Sequence, residues 1–513
     1  MADTLTAAGT PAAAGDGGAG STRVRIAIVG SGFAGLGMAI RLRQAGIEDF
    51  VVLERAGDLG GTWQANTYPG CQCDVPSHLY SFSFAPNPSW TRTYSRQPEI
   101  WAYLRGCAKR YGLASHLRFG HELTGATWDE QTGGWHVQTT GGDFEATLLI
   151  DATGPLSHPA VPPIPGLDTF EGTLFHSAEW DHDHDLQGER VAVIGTGASS
   201  IQLVPRIQPR VGAMHVFQRT PPWVLPHSDR PTSRFERQLY RAVPLVQRAV
   251  RTGVYWGRET FVVGFAKRPS LARHAERLAR LHLRRQVRDP ALRRKLEPDF
   301  RLGCKRVLIS NEFYPALTQP NVELVTEQIA RIAGRRIVLA DGSEREVDTI
   351  ILGTGFHVTD PPTAWLVRGR GGGTLAEALG LSPQAYLGTS VPGFPNLFKI
   401  IGPNTGLGHS SMVFMIESQL TYVMDAIRQM DEGAIASVDV RAEVVEAFND
   451  EVQAMMAGTV WSSGCASWYL DARGRNTTLW PDFTFRFRRR TRRFDADAYE
   501  LRTGAAEPAA LAR

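Results

Sequence analysis

Val24-Arg-Ile-Ala-Ile-Val-Gly30-Ser-Gly32-Phe33-Ala-Gly35 decides the fold: a short apolar, β-branched run that ends on glycine. Apolar residues then recur at helical spacing through Met38, Ile40 and Leu42, and a strand pattern returns at Phe50-Val-Val-Leu-Glu54. Strand, helix and strand in that order make a βαβ unit. The Gly30-x-Gly32-x-x-Gly35 spacing falls where the first strand turns into the helix, which is the context the motif requires. Glycine there permits a tight turn and a close approach of backbone to a pyrophosphate, and the helix N-terminus offers unpaired N–H groups to the anion. Glu54 ends the second strand, where a carboxylate can accept hydrogen bonds from ribose hydroxyls.

A matching unit starts at Arg190-Val-Ala-Val-Ile-Gly195 and closes at Met214-His-Val-Phe-Gln-Arg219. Its loop, Gly195-Thr196-Gly197-Ala-Ser199-Ser200, carries serine in place of the third glycine, and serine is small enough for close helix–strand packing. Arg219 stands at the same offset from Gly195 as Glu54 from Gly30. A guanidinium at that place can form charge-assisted bonds to a 2′-phosphate, which predicts NADPH over NADH. Two such loops in one chain predict a flavin and a nicotinamide dinucleotide. The first, near the N-terminus and followed by Gly60-Gly-Thr62-Trp63, predicts the FAD site.

The rest of the chain frames these units. At 513 residues and 42% hydrophobic it can bury a large core, spread over roughly two to four domains. The 55 basic and 52 acidic residues leave +3, too little to argue for a nucleic-acid partner. No apolar run reaches the roughly 18 residues of a membrane span, and the Ala/Gly/Thr-rich start reads as a disordered tail rather than a signal peptide. A cytoplasmic protein is expected, and no feature fixes its oligomeric state. Five cysteines, with Cys71-x-Cys73 at neither zinc nor redox spacing, predict ordinary reduced thiols. Asp181-His-Asp-His-Asp185 reads as a polar turn, and no metal site is expected. Arginine-rich segments between Pro226 and Phe300, with Leu271, Leu278 and Leu281 at helical spacing, predict a helical insertion with a solvated basic face. An amphipathic helix from Ser410 to Met430 and a basic tail from Arg486 to Arg493 follow.

Phe170-Glu-Gly172-Thr-Leu-Phe-His176-Ser-Ala-Glu-Trp180-Asp181 reads F-x-G-x-x-x-H-x-x-x-W-[PD]. Gly60-Gly-Thr62-Trp63-Gln-Ala-Asn-Thr-Tyr68-Pro-Gly-Cys71-Gln-Cys73-Asp74 reads [AG]-G-x-W-x-x-x-x-[FY]-P-[GM]-x-x-x-D. Both resemble the fingerprints of the type I Baeyer–Villiger monooxygenases. Gly353-Thr-Gly355 resembles the family's strand-end glycine element, and Lys305-Arg306 its paired basic residues. Pyridine-nucleotide disulfide reductases, which share the two loops, carry a C-x-x-x-x-C pair after the first; this chain has none.

The resemblance implies a fold, a reaction and a site. The fold would be α/β, with two Rossmann-like three-layer domains and a helical insertion. After a tail at 1–22, the FAD-binding domain would comprise 23–160 and 356–513, and the NADP-binding domain 161–225 and 302–355, with 226–301 the insertion. NADPH and O2 would insert one oxygen beside the carbonyl of a small-molecule ketone through a C4a-peroxyflavin, giving an ester or lactone. Arg306 would stabilise the negative peroxide and the oxyanion of the adduct, with Asp74 as its ionic partner. FAD would be held by Gly30, Gly32, Phe33, Gly35, Glu54, Thr62, Trp63, Asp74 and Tyr80. NADP would be held by Gly195, Thr196, Gly197, Ser199, Ser200, Gln202, Arg219, Thr220, Lys305 and Trp468. Phe170, Gly172, His176 and Trp180 would support catalysis structurally from an inter-domain position, and the ketone would be met by the insertion and C-terminal loops. The alternative is a flavin monooxygenase that oxidises sulfur or nitrogen; Trp180, where those enzymes carry Tyr or Phe, counts against it, as do Asp74 and Arg306. A non-catalytic flavin sensor is a more distant rival.

Overall fold

The computed structural model describes residues 21–504. Of the expected N-terminal tail, only Ser21 and Thr22 are among these. Thr22 already belongs to the first strand, because its N–H donates to Asp143 O (2.8 Å) and it pairs with Phe144. That strand, Thr22–Val29, lies parallel between Phe50–Glu54 and Phe144–Asp151. Ile26, Ala27 and Ile28 on its two faces are wholly buried, the pattern of a parallel strand covered on both sides. The sheet extends through Leu117–Phe119 at one edge. At the other, Gly134–Thr139 and Leu123–Asp129 run antiparallel, followed by Val367–Arg368. Leu397–Lys399 joins the end of Phe144–Asp151 from the C-terminal part of the chain.

The second sheet is all parallel and five-stranded: Val322–Val325, Ala213–Phe217, Arg190–Ile194, Thr349–Leu352 and Thr173–His176, in that spatial order. Each sheet therefore draws strands from separated stretches of chain, and two antiparallel crossings connect them. His357 N–H donates to His158 O (3.0 Å), Ala160 N–H to Gly355 O (2.9 Å), and Pro159 bridges Phe356. The fold is α/β with two Rossmann-like units.

Between the strands of the second unit the chain forms helices Arg234–Ala242, Pro244–Val262, Ala272–Gln286 and Pro290–Leu296. Local chemistry sets their starts. Ser233 and Glu236 form a reciprocal capping box. Pro244 and Pro290 occupy the first helical turn, where a missing N–H costs nothing, and Asp289 caps two N–H groups. The insertion is closed at its base by Val224–Leu225 paired with Leu308–Ile309. The helices are where the leucine spacing placed them, but that spacing marks the wrong face. Leu271, Leu278 and Leu281 are exposed, while Ala272, Ala279, His282 and Leu283 are buried.

The C-terminal part holds a long helix, Met412–Glu432, capped by Ser411 and packed on Phe33–Gln44. The basic segment is folded rather than a tail, although most of its arginines are exposed. Thr484–Arg490 is a helix whose Arg488 lies 3.6 Å over the Phe414 ring and pairs with buried Glu417. Tyr499–Thr503 then pairs with Ile435–Val440.

Candidate active site

A cavity of about 510 Å³ opens at the carboxyl end of the first sheet. Gly30, Gly32, Phe33, Glu54, Thr62, Trp63, Tyr80, Arg306 and Trp468 are brought together on its wall. The turn at Gly30 can be made only by glycine: φ is +100°, and a Cβ would sit 2.6 Å from Ala152 O. Gly195 repeats the arrangement in the second unit, with φ +109° and Gly353 O 2.4 Å from a Cβ. In both, the first glycine lies against the end of a neighbouring strand, which explains why Gly353-Thr-Gly355 stands where it does. Gly35 packs on the turn below Gly30 and lies outside the cavity wall.

Glu54 accepts from Ser31 N–H (3.0 Å) and Ser31 Oγ (2.6 Å), so its carboxylate is fixed at the strand end facing the cavity. Trp63 Nε1 donates to Tyr80 Oη (3.0 Å), and Phe33 meets Tyr80 edge-on at 5.1 Å. Three motif aromatics thus form one rigid wall. Apolar residues of the C-terminal part, Ile401, Leu407, Met412 and Ile416, also line the cavity. The buried Thr477 and Thr478 hydroxyls on the wall have no protein partner. Lys399 Nζ and Asp151 Oδ2 pair at 2.6 Å beside them. The set fits a flavin dinucleotide: a glycine turn for the pyrophosphate, a carboxylate for the ribose, flat apolar walls, and hydroxyls lacking partners.

Arg306 donates through Nε (2.9 Å) and Nη2 (2.5 Å) to Asp74 Oδ2. Arg258, from the insertion, donates to the Asp74 carbonyl oxygen (2.8 Å). Burial works against ionisation of Asp74, but Arg306 and then Arg258 outweigh it and hold its carboxyl below the usual range. Asp74 in turn raises the Arg306 pKa, against the effect of burial. The guanidinium stays charged, and with 32% of its side-chain surface accessible on a cavity-lining residue it retains donors for a further ligand.

The second loop lies away from this cavity. Ser200 is fully buried against Gly353, so the serine does pack where a glycine is usual. Thr196 Oγ1 donates to Thr220 O (3.4 Å), tying the loop to the residue after Arg219. Ser199 immediately precedes the helix that follows, without a side-chain capping bond, and Gln202 lies on that helix. The Gln202 amide accepts from Tyr68 Oη (2.9 Å) and donates to Gln72 O (3.1 Å), so it bridges the second loop's helix to the Gly60–Asp74 segment. Lys305 and Arg219 are neighbours, and neither has a carboxylate partner within ion-pair distance among the described residues. Burial, and then Arg219, depress the Lys305 pKa.

Phe170, Gly172, His176 and Trp180 do not line the cavity. His176 ends the Thr173–His176 strand, 2% exposed, with its ring 5.6 Å from that of Phe356 in the crossing between the sheets. Trp180 packs on Phe175 at 5.1 Å. A Cβ on Gly172 would meet Asp348 O at 2.2 Å. Phe170 packs on the core behind the second sheet. The fingerprint therefore lies at the double crossing. In the Asp181–Asp185 turn, His182 Nε2 contacts Thr67 Oγ1 (2.7 Å) and Asp185 pairs with Arg210.

One expectation is overturned. Cys304 and Cys465 are joined in a disulfide across 161 residues, whereas Cys71, Cys73 and Cys107 are free and buried. Burial pushes the Cys71 thiol up to about 12, as unreactive thiols require. Sequence spacing could not reveal a pair made by folding. Nor did any motif mark Thr477, Thr478, Lys399 or Asp151.

The chain is similar to known proteins. A family model described as pyridine nucleotide-disulphide oxidoreductase matches residues 27–233. A Baeyer-Villiger monooxygenase of Streptomyces coelicolor is 54% identical over 93% of this chain and 92% of its own length. One from Pseudomonas aeruginosa is 50% identical over 96% and 93%. Among solved structures, an oxidised steroid monooxygenase bound to NADP superposes with a TM-score of 0.81 at 31% identity, covering 94% of this chain and all of that one. Cyclohexanone monooxygenase from Rhodococcus sp. Phi1 bound to NADP+ gives 0.82 at 27% identity, with 94% and full coverage. The chain belongs to the Baeyer–Villiger monooxygenase family.

Proposed function

We propose that the protein uses FAD, NADPH and O2 to insert one oxygen atom beside the carbonyl of a small apolar ketone, giving an ester or lactone. The observation that carries the proposal is Arg306, held by Asp74, on the wall of a cavity built for a flavin. FAD, reduced by NADPH, supplies the activation of O2. Arg306 supplies a permanent positive charge, fixed by Asp74, at the place where the carbonyl oxygen becomes an oxyanion. A donor already oriented at that place needs no reorganisation as charge develops. Asp74 positions the guanidinium, and Arg258 positions Asp74.

The residues holding each group follow the two units. The first loop, with Glu54, Thr62, Trp63 and Tyr80, holds FAD. Gly195, Gly197 and Ser199 hold the pyrophosphate side of NADPH, and Arg219, Thr220 and Lys305 bind its 2′-phosphate. Segments 23–160 and the described residues of 356–513 form the FAD-binding domain, and 161–225 and 302–355 the NADP-binding domain. An apolar ketone suits the Ile401, Leu407, Met412 and Ile416 wall. No helix among the described residues is long and apolar enough to cross a membrane.

The test is anaerobic reduction by NADPH, then aeration over a panel of cyclic, aromatic and steroid-sized ketones. Products that gain one oxygen atom support the proposal. Sulfoxide or N-oxide formation with no ester from any ketone overturns it.

A further inference from the structure

Residues 462–468 span from buried Trp461 to buried Tyr469. Every hydrogen bond made by this stretch among the described residues is local. Ser462 and Ser463 bond back to Thr459 and Val460, and Ser467 accepts from Tyr469 and Leu470. Trp468, 46% exposed, nevertheless reaches the cavity wall. One long-range bond ties the stretch down, the disulfide from Cys465 to Cys304. Cys304 is 1% exposed and immediately precedes Lys305 and Arg306. A single cross-link thus joins the segment that carries Trp468 to the one that carries both functional cations.

We propose that Cys304–Cys465 is a redox modification site whose oxidised form holds the Trp468 segment against the Lys305-Arg306 segment and thereby tightens nicotinamide-dinucleotide binding. The inference rests on the functional reading above only for the identity of that ligand. Cys465 is half-buried and Cys304 fully buried, so the reachable sulfur is that of Cys465. A dithiol reductant attacks there, the Cys304 thiolate leaves, and closure of the dithiol to its own disulfide then frees Cys465, leaving two protein thiols. In reverse, hydrogen peroxide oxidises one thiol to a sulfenic acid with loss of water. The second thiol displaces a second water, so two electrons and two protons pass from the protein to the peroxide. Once reduced, the 462–468 stretch keeps only its local bonds, and the cost of ordering Trp468 at the cavity wall and Lys305 at the 2′-phosphate must be met by binding.

The test uses the flavin-loaded protein, purified without reductant and then treated with either hydrogen peroxide or a dithiol. Alkylation under denaturing conditions with intact-mass readout counts thiols. The oxidised form should take up three labels, at Cys71, Cys73 and Cys107, and the reduced form all five. NADP+ titration should give a dissociation constant weaker in the reduced form by roughly two- to tenfold, the cost of ordering one aromatic side chain with its loop. Cys304→Ser with Cys465→Ser should bind like the reduced form after either treatment. Five labels even after peroxide, or equal NADP+ affinity of the two forms, overturns the inference. Ester formation is scored separately. A protein that oxidises no ketone but shows the affinity difference refutes the functional proposal and leaves the redox site standing.

Discussion

Arg219 and Lys305 form a pair of cations waiting for an anion, and removing one has a calculable cost. Neither has a carboxylate partner within ion-pair distance among the described residues, and burial and then Arg219 lower the Lys305 pKa. A 2′-phosphate between them would satisfy both, and would return Lys305 toward its ordinary pKa. A charge-assisted hydrogen bond contributes about 1.5–3 kcal/mol, and Arg219 is exposed, so the low end applies. With about 1.4 kcal/mol per tenfold, Arg219→Ala should raise the NADPH KM about tenfold. NADH lacks the phosphate, and its KM should move less than twofold by the same reasoning. Lys305→Ala, half-buried, should cost more than Arg219→Ala for NADPH. The assay is the rate of anaerobic flavin bleaching against coenzyme concentration, for both coenzymes, at two ionic strengths. Salt should erode the NADPH preference of the wild type more than that of Arg219→Ala, because the exposed contact is the screened one. Equal losses with NADPH and NADH would refute the reasoning.

Gly30→Ala places a Cβ 2.6 Å from Ala152 O at a φ of +100°. The left-handed backbone alone costs about 1–2 kcal/mol, so the purified variant should carry markedly less FAD, read from the ratio of flavin to protein absorbance. Burial holds the His176 pKa down at about 4, with the Gly355 backbone opposing it. The unfolded chain takes up that proton first, so the stability His176 contributes is full above about pH 6.5 and is lost as pH falls toward 4. His176→Gln should flatten the fall of melting temperature over that window, and an unchanged slope would show that His176 is not its source. Asp74→Ala leaves Arg306 charged but unanchored. Ester formation should fall, less than on losing Arg306 itself, with NADPH-driven flavin bleaching nearly unchanged.

The central parallel strands were legible because they are buried on both faces, whereas the half-exposed antiparallel strands Leu123–Asp129 and Gly134–Thr139 were not. Ile26 to Val29, Val191 to Ile194 and Ile350 to Leu352 are continuous apolar runs, and the glycine turns at Gly30 and Gly195 fix where each run stops. The insertion was legible as helix but not in its orientation. The exposed Leu278 and Leu281 share their spacing with core leucines, and only packing shows that Ala279 and Leu283 face inward. Asp74 and Arg306 were legible through motifs, and they meet although 232 residues separate them. Arg258, Thr477 and Thr478 were not. Their positions depend on where the insertion and the C-terminal part come back to the sheet, and nothing local in their sequence encodes that return. The Cys304–Cys465 pairing escaped for the same reason.

The central claim is that Arg306, anchored by Asp74, supplies the charge that turns oxygen activation into ester formation. The measurement is Arg306→Ala given NADPH, O2 and a ketone that the wild type converts, with flavin bleaching, hydrogen peroxide and ester followed together. Bleaching by NADPH should persist at near wild-type rate, because hydride transfer needs no oxyanion donor. Ester formation should drop about 100- to 1,000-fold, the usual loss on removing one such donor, with hydrogen peroxide released in its place. Ester made by Arg306→Ala at near wild-type rate would contradict the account.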